Sequence, residues 1–339
     1  MSNKQSVRIE SKMLDLDTVK AKIQAGEFLS IAADESILSQ LPSGNWIGGT
    51  IPYFMDESGG VISKEKIFVN SIEGIQSNNP PRITIYDNSS INRIAKDAPS
   101  HGFTLLILPA SSDVHLNYSQ NAPDFPNMFF TPIVGWISGF HLEENGASAK
   151  VGFGPGGNML LDQQAVAMHI PLPEHQMANV SIINLFEEGE GAAIEFPTTG
   201  FSAGTCTIDG KASNFAQYIQ EQQIDTRLPL VADYSGIKVN VSVKALDAEA
   251  GRVDLYAPVF EGIRYHFAKP IGNYVSEFET ELKKNDASDI AFSCNCILNF
   301  LYSELEGKKT GSMTGPITFG EIAYQLVNQT MVFMTLSES

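Results

Sequence analysis

Two neighbouring cysteines are the side chains of this sequence best placed for covalent or metal chemistry. Cys294 and Cys296 stand two residues apart, so both would face the same side of a strand. The pair could hold a soft metal ion, but tetrahedral zinc requires four ligands, and neither Cys206 nor any histidine lies at a recognisable spacing. A nucleophilic cysteine would need a base within reach, and the candidate bases are His115, His141 and His169. The pattern predicts no metal and leaves a cysteine-dependent enzyme as an alternative.

Several motifs that would identify an enzyme are absent from the sequence. The chain contains no His-Glu-x-x-His metal motif and no P-loop. The loop Gly154-Pro-Gly-Gly157 could cradle an anion, but it lacks the Lys-Ser/Thr of a P-loop and no clear helix follows it. The glutamates at 187, 188, 190 and 195 are typical of a solvated acidic loop. These observations favour a non-enzymatic role.

His115 is the histidine whose surroundings are most suggestive of a ligand site. It follows Gly102–Leu108, a nearly continuous apolar run that predicts a strand covered on both faces. Open α/β sheets place ligands just beyond the carboxyl ends of such strands. A histidine near a helix start is also commonly a cap or a surface residue, and both readings stay open.

Two segments near the carboxyl end would position the cysteines and an acidic residue. Residues 289 to 296 read as a buried strand that runs into a helix from Ile297 to Leu305. The last run, 315 to 336, opens with a Gly-Pro turn signal, and its end alternates as a strand. Gly320 lies between Phe319 and Glu321, where a side chain would fit poorly. From the whole run we expect Glu321 to be presented on a loop beside a buried strand.

The first half has one comparable segment, the glycine-rich run from Gly44 to Phe54. It includes Gly48, Gly49 and Thr50 within an apolar stretch. Glycines inside a strand indicate either a sharp bend or a backbone that approaches another group closely.

Together these segments resemble the FIST (F-box and intracellular signal transduction) sensory domain family. Phe319-Gly-Glu-Ile322 and Asn328-Gln-Thr330 match the end of that domain, where an aromatic residue precedes Gly-Glu-Ile and Asn-x-Thr precedes a hydrophobic strand. Ile47-Gly-Gly-Thr50 occupies the place of its usual Gly-x-Ser-Thr, and Cys294 or Cys296 occupies that of the cysteine before a helix. The resemblance covers nearly the whole chain in order.

The resemblance implies a bacterial intracellular sensor of a small ligand. No output module fits beside two halves in 339 residues, so signalling would pass through a separate protein partner. Glu321 and Asn328 would meet an amine or amide, Cys294 and Asn295 would line the base of the site, and Tyr324 would pack on the ligand. Gly48 and Thr50 complete the expected ligand contacts. Asn328 could instead cap a turn and Cys294 could instead fill the core.

Two further alternatives belong to other functional classes. Some FIST-like proteins bind haem through a histidine, which would make His115 the ligand of a haem-based gas sensor. No other cofactor is predicted. A structural or scaffold protein built by self-association is the second alternative, and a homo-oligomer is compatible with either role.

Length and composition predict an ordinary globular protein of two domains. The chain has 339 residues, of which 43% are hydrophobic, and domains average roughly 150 residues. We place the boundary in the linker-like Pro171–His175, which gives lobes 1–173 and 174–339. The predicted strands outnumber the helices and several form a meander. We therefore expect an α/β (α+β) fold of two lobes with mixed, largely antiparallel sheets flanked by helices.

Charge and targeting signals narrow the partners and the location. Lys and Arg number 22 against 39 Asp and Glu, a formal net charge of −17, which would repel nucleic acid and anionic membranes. Three cysteines are too few for a disulfide framework. The first residues lack the apolar region of a signal peptide, and no run is long enough to span a membrane. The sequence predicts a cytoplasmic protein with reduced thiols.

Overall fold

The computed structural model describes residues 6–234, 237–284 and 289–338. Strand accounts for 43% of the chain and helix for 17%, so sheets form the body of the molecule and a few helices flank them. The strands of the described residues make four six-stranded sheets and one three-stranded sheet. The predicted mixed α/β fold class with largely antiparallel sheets is confirmed.

The first sheet is built from the amino-terminal segment. Its strands in spatial order are β1 (Arg8–Leu14), β6 (Ile67–Glu73), β2 (Phe28–Ala33), β3 (Trp46–Thr50), β10 (Val151–Phe153) and β11 (Met159–Leu161). Helices α1 (Leu16–Gln24) and α2 (Glu35–Leu38) flank β2 in the chain. The Asp15 carboxylate caps α1 by accepting a hydrogen bond from the Thr18 amide at 2.8 Å.

The second sheet contains the predicted strand covered on both faces. Its strands in spatial order are β26 (Gln325–Val327), β25 (Glu321–Ala323), β9 (Ile133–Ser138), β8 (Gly102–Pro109), β12 (Ala165–Pro171) and β7 (Arg82–Tyr86). Every residue of β8 is buried, which confirms the expectation from its continuous apolar run. Helix α3 (Ile94–Asp97) precedes β8, and α4 (Asp113–Asn121) follows it.

The third sheet carries the cysteine-bearing strand at its centre. Its strands in spatial order are β13 (Gln176–Ile183), β27 (Met331–Glu338), β23 (Ile290–Cys296), β24 (Gly315–Thr318), β4 (Tyr53–Asp56) and β5 (Gly59–Ile62). Helix α7 (Ile297–Tyr302) begins directly after β23, as the sequence predicts, and α6 (Tyr274–Lys284) precedes that strand in the chain.

The remaining two sheets come from residues 194 to 267. The fourth sheet contains, in spatial order, β17 (Lys211–Asn214), β16 (Thr205–Ile208), β14 (Ile194–Glu195), β22 (Arg264–Phe267), β18 (Leu230–Tyr234) and β19 (Ile237–Val241). The small fifth sheet contains β15 (Gly200–Ala203), β21 (Arg252–Val259) and β20 (Val243–Asp247). Helix α5 (Phe215–Glu221) follows β17, and its Asn214 cap accepts from the Gln217 amide at 3.0 Å.

Strands from both sides of residue 173 share two of the sheets. In the third sheet Gly315 of β24 pairs with Met55 of β4, and in the second Glu321 of β25 pairs with Trp136 of β9. The proposed lobe boundary at residue 173 stays a prediction. These pairings bring the carboxyl-terminal segment against strands of the first half.

The glycines of β3 permit a close contact between sheets. A Cβ atom on Gly49 would lie 2.6 Å from the Trp136 ring and 2.8 Å from a methyl group of Ile107. On Gly48 it would lie 3.1 Å from the Ile31 carbonyl oxygen. Of the two readings of this glycine run, close approach is the one that the structure shows. The described parts of the chain include no helix with both the length and the apolar character to cross a bilayer.

Candidate functional site

A group of buried polar side chains lies where β23 runs into α7. The Asn295 Oδ1 atom accepts hydrogen bonds from the Cys296 amide at 2.8 Å and from Asn299 Nδ2 at 2.9 Å. The same Asn299 nitrogen donates to the Thr330 carbonyl oxygen at 3.2 Å. Because Asn295 is the penultimate residue of β23 and Asn299 lies in α7, the hydrogen bond between their side chains connects the strand to the helix.

Glu321 is fully buried and is held by threonines. Its Oε2 atom accepts from the Thr330 amide at 3.2 Å and from the Thr330 hydroxyl at 2.8 Å. The Thr318 hydroxyl lies 3.4 Å from Oε1. Burial raises the pKa of Glu321 to about 8, and the hydrogen bonds from Thr330 act in the opposite direction. The Glu321 carboxyl group therefore lies in the protein interior, where its hydrogen-bond donors are neutral groups of Thr318 and Thr330.

The expectation that a loop presents Glu321 is wrong. Glu321 begins strand β25 and pairs with Trp136 of β9. A Cβ atom on Gly320 would lie 3.0 Å from the Ile137 side chain. This confirms the expectation that a side chain would fit poorly at position 320.

The Asn328-Gln329-Thr330 motif forms the turn between β26 and β27. Gln329 adopts a φ of 52°, and its Oε1 atom accepts from the Ser242 hydroxyl at 2.7 Å. Asn328 Oδ1 accepts from the Ser242 amide at 3.2 Å, and its Nδ2 atom lies 3.8 Å from Cys296 Sγ. Gln329 Nε2 donates to the Arg227 carbonyl oxygen at 3.1 Å. The motif therefore ties the last segment to the connection between β19 and β20.

The two cysteines of β23 are buried thiols. Cys294 Sγ donates to the Gly135 carbonyl oxygen at 3.3 Å. Burial, with a smaller contribution from the nearby Glu321 carboxyl, raises the pKa of both Cys294 and Cys296 well above the ordinary range. Because the thiolate is the nucleophilic form, this setting suits packing and hydrogen bonding better than covalent catalysis.

A cavity of about 200 Å³ adjoins this polar group. Asn299 and Gln329 line it together with Tyr274 and Tyr302. Asn299 is only 2% exposed, and its Oδ1 atom has no hydrogen-bond partner among the described residues. A neighbouring cavity of about 550 Å³ shares both tyrosines. A buried acceptor without a partner at a cavity wall is the feature here most suited to meeting a ligand.

Sequence reasoning missed Asn299, Gln329 and Tyr274 as residues of this site. One signal was available, since Asn295 and Asn299 are two amides four residues apart in an otherwise apolar run. Of the predicted ligand contacts, Asn295, Glu321 and Asn328 belong to this connected polar group, and Cys294 packs beside it. Their role in ligand binding stays a prediction.

Gly48 and Thr50 lie elsewhere, in β3 of the first sheet. The Thr50 hydroxyl donates to the Gly139 carbonyl oxygen at 2.7 Å and accepts from the Lys150 amide at 2.9 Å. Thr50 is buried, and Gly48 is packed against Ile31. These contacts give both residues structural roles in joining β3 to its neighbours.

Tyr324 lies at the tight turn between β25 and β26. It adopts a φ of 63°, and its carbonyl oxygen accepts a short hydrogen bond from the Tyr118 hydroxyl. Its ring centroid lies 5.7 Å from that of Phe129. Tyr324 is therefore separate from the cavity beside Asn299 and belongs to a different aromatic surface.

His115 occupies the first turn of α4, as its position after β8 predicts. The Ser112 hydroxyl caps the helix by accepting from the His115 amide at 3.2 Å, and His115 Nδ1 accepts from the Ser111 amide at 3.1 Å. Burial, reinforced by Lys244, lowers the pKa of His115 to about 4, so the ring is neutral. Nδ1 of His115 thus accepts a hydrogen bond from the backbone. In an axial haem ligand, the ring nitrogen that does not bind iron usually donates one instead.

Two short glycine patterns resemble enzyme motifs but have the wrong structural context. Gly200-Phe-Ser-Ala-Gly204 has the spacing of a nucleophile elbow, yet Ser202 lies within strand β15 and not at a strand-to-helix turn. The glycines from 152 to 157 have the spacing of a dinucleotide fingerprint, but they connect β10 to another strand, β11. No group of three or more His, Cys, Asp or Glu side chains in the described ranges is arranged to hold a metal ion.

The comparison with protein families gives a match over most of the chain. Residues 14–337 match the model of a family described as a family of unknown function, DUF6976. No curated protein matches the sequence. Since the family description specifies no activity, the functional argument rests on the geometry of the site.

Proposed function

The chain belongs to DUF6976, a family of unknown function, and we propose that it is an intracellular sensor that binds a small polar molecule beside Asn299. The ligand's presence would be reported to a separate signalling protein. The resemblance of the carboxyl-terminal segments to a sensory domain supports this class of function. The cavity beside Asn299 supports the place of binding.

One observation carries the proposal, namely the unpartnered Oδ1 atom of Asn299. Leaving a buried acceptor without a hydrogen bond costs about 1–3 kcal/mol. The Asn299 Nδ2 atom is already engaged by Asn295 and Thr330, so the side chain cannot turn its oxygen inward without losing those bonds. A ligand with an N–H or O–H donor would satisfy the oxygen. An amine or an amide, the class expected from the sequence, meets this requirement.

The cavity sets the size and charge of the ligand. A volume of about 200 Å³ equals roughly seven waters at ~30 Å³ each, which fits a molecule of amino-acid size. Tyr274 and Tyr302 offer aromatic surface. Asp225 and Arg227 also line the cavity, and they form an ion pair with each other at 2.7 Å. Because those charges compensate, the site favours a neutral amide or a zwitterion that carries an ammonium group.

The hydrogen-bond network gives a route by which binding could alter the fold. Asn299 donates to the Thr330 carbonyl oxygen, and the Thr330 amide and hydroxyl donate to Glu321. Glu321 belongs to the second sheet, whereas Asn299 follows a strand of the third. A ligand that displaces the Asn299 side chain would therefore strain bonds that connect two sheets. This connection supports a sensory role over simple storage of the ligand.

The test is native mass spectrometry of protein purified without added ligand, followed by identification of any released molecule. We expect a stoichiometric amine or amide from the wild type and its loss from Asn299→Leu, which removes the oxygen at similar side-chain volume. Thr310→Val is the matched control, because Thr310 also has a buried unpartnered oxygen and does not line this cavity. Circular dichroism would verify that both variants fold.

Two results would count against the proposal. One is a folded Asn299→Leu protein that retains the molecule at the wild-type level. The other is an empty wild type that gains no thermal stability from any amine or amide tested. Tyr302→Ala provides an independent check, since Tyr302 is 37% exposed and its removal should weaken binding at little structural cost.

A further inference from the structure

A second cleft, of about 860 Å³, lies at the carboxyl end of α4, and none of its described lining residues lines the cavity beside Asn299. Its volume is within the range of roughly 300–1,000 Å³ typical of small-molecule sites. Phe129, Tyr234 and Phe260 supply its aromatic lining, and Gln120, Gln325 and Asp124 supply polar groups. We propose that this cleft binds a nucleobase or nucleoside, independently of the site beside Asn299.

The aromatic residues form two supported pairs. The Phe129 ring lies 5.7 Å from that of Tyr324 at an interplanar angle of 41°. The Tyr234 ring lies 5.2 Å from that of Phe260 at 75°, and the Tyr234 hydroxyl is hydrogen-bonded to that of Tyr265 at 3.2 Å. Each lining ring is therefore held by a second aromatic group. Stacking of a planar base on such a ring contributes about 1–3 kcal/mol to the binding free energy.

The polar groups of the cleft match the edge of a base. Neither the Gln120 nor the Gln325 side-chain amide has a hydrogen-bond partner among the described residues, in contrast to the engaged amides of Asn295 and Gln329. An amide side chain offers a donor and an acceptor side by side, as the N6 and N7 edge of adenine requires. A carboxylate such as Asp124 accepts from an exocyclic amino group. The free amides thus favour a planar heterocycle with both donors and acceptors.

Charge distinguishes a nucleoside from a nucleotide. The lining residues described for this cleft include Asp124 and no Lys or Arg. The chain as a whole carries a formal charge of −17. A phosphate group would meet no cation here and would be repelled by the surrounding field. The geometry therefore selects the base or nucleoside and disfavours its phosphorylated forms.

The test is isothermal titration calorimetry with adenosine, guanosine, cytidine and uridine, with the monophosphate of each, and with free ribose. We expect at least one nucleoside to bind, its monophosphate to bind about tenfold more weakly because of the uncompensated charge, and ribose to give no signal. Phe129→Ala should reduce the affinity about tenfold through lost stacking. Phe130→Ala is the matched control, because the adjacent Phe130 is 84% exposed and does not line this cleft.

Several outcomes would overturn the inference. These are no heat with any of the four nucleosides, equal binding of ribose, or a Phe129→Ala affinity equal to that of Phe130→Ala. Asn299→Leu should keep nucleoside binding unchanged, since Asn299 lies outside this cleft. That variant separates failure of this inference from failure of the proposed sensor site.

Discussion

Replacing Glu321 by glutamine should remove a large part of the pH dependence of stability. The folded protein holds the proton of Glu321 more tightly than the unfolded chain, because burial raises the pKa from its ordinary value of 4.5 to about 8. Glu321 is protonated in both the folded and the unfolded state below pH 4.5, so its contribution to stability is fully present there. It decreases as pH rises towards 8 and changes no further above that value. Glutamine does not ionise, and its oxygen can still accept the two hydrogen bonds from Thr330.

The magnitude follows from the two pKa values. Over the whole window the difference between about 8 and 4.5 for Glu321 corresponds to ~5 kcal/mol of unfolding free energy. Between pH 5.5 and pH 7.5 the wild type should lose about 2.5 kcal/mol more than the Glu321→Gln variant. Glu321 is fully buried, so solvent screening reduces this difference in unfolding free energy only slightly.

Urea unfolding of both proteins at the two pH values measures the effect. The other carboxyl groups titrate equally in wild type and variant, so the difference between the proteins isolates Glu321. The exposed residue Glu57 provides the control, and Glu57→Gln should follow the wild-type pH dependence. A difference between wild type and Glu321→Gln that stays constant within about 0.5 kcal/mol at the two pH values would refute the reasoning.

Two further predictions concern packing. Gly135→Ala should destabilise the fold by ~3 kcal/mol or more in urea unfolding, because its Cβ atom would lie 1.8 Å from the Leu106 carbonyl oxygen. Gly191→Ala should change stability by no more than about 1 kcal/mol, because its added Cβ atom would meet no heavy atom within 4 Å in the described parts of the chain beyond its own chain neighbours. Equal effects of the two substitutions would contradict the packing argument. All three cysteines are buried, so a thiol reagent should label none in the folded protein within minutes and all of them in guanidinium. Rapid labelling of Cys294 or Cys296 in the folded state would instead support a reactive thiol.

Elements with a strong local pattern were predictable from the sequence. Strand β8 was expected from its apolar run, and helix α7 from the apolar spacing after Cys296. Local periodicity is sufficient in such cases because the element forms wherever that face is buried. The segment from 315 to 336 was less predictable, since its glycine and proline signals were compatible with a loop and with short, closely packed strands.

The candidate site was only partly accessible to sequence reasoning. The resemblance to the sensory domain family drew attention to Asn295, Glu321 and Asn328, and these residues do lie in one connected polar group. Asn299 was overlooked although it follows Asn295 by four residues, because that spacing does not show that either amide borders a cavity. Its unpartnered oxygen becomes visible only when the positions of Asn295 and Thr330 are known.

What the sequence by itself determined is the charge of the protein, the class of its fold and most of its regular local elements. Each of these depends on composition or on residues close together in the chain. Tertiary structure alone decided that Glu321 is buried, since this follows from pairing with Trp136 of β9, far away in sequence. The tertiary structure likewise decided which side-chain amides are hydrogen-bonded and which have no partner among the described residues. Burial and hydrogen-bond satisfaction depend on contacts between distant segments, and local sequence does not encode those contacts individually.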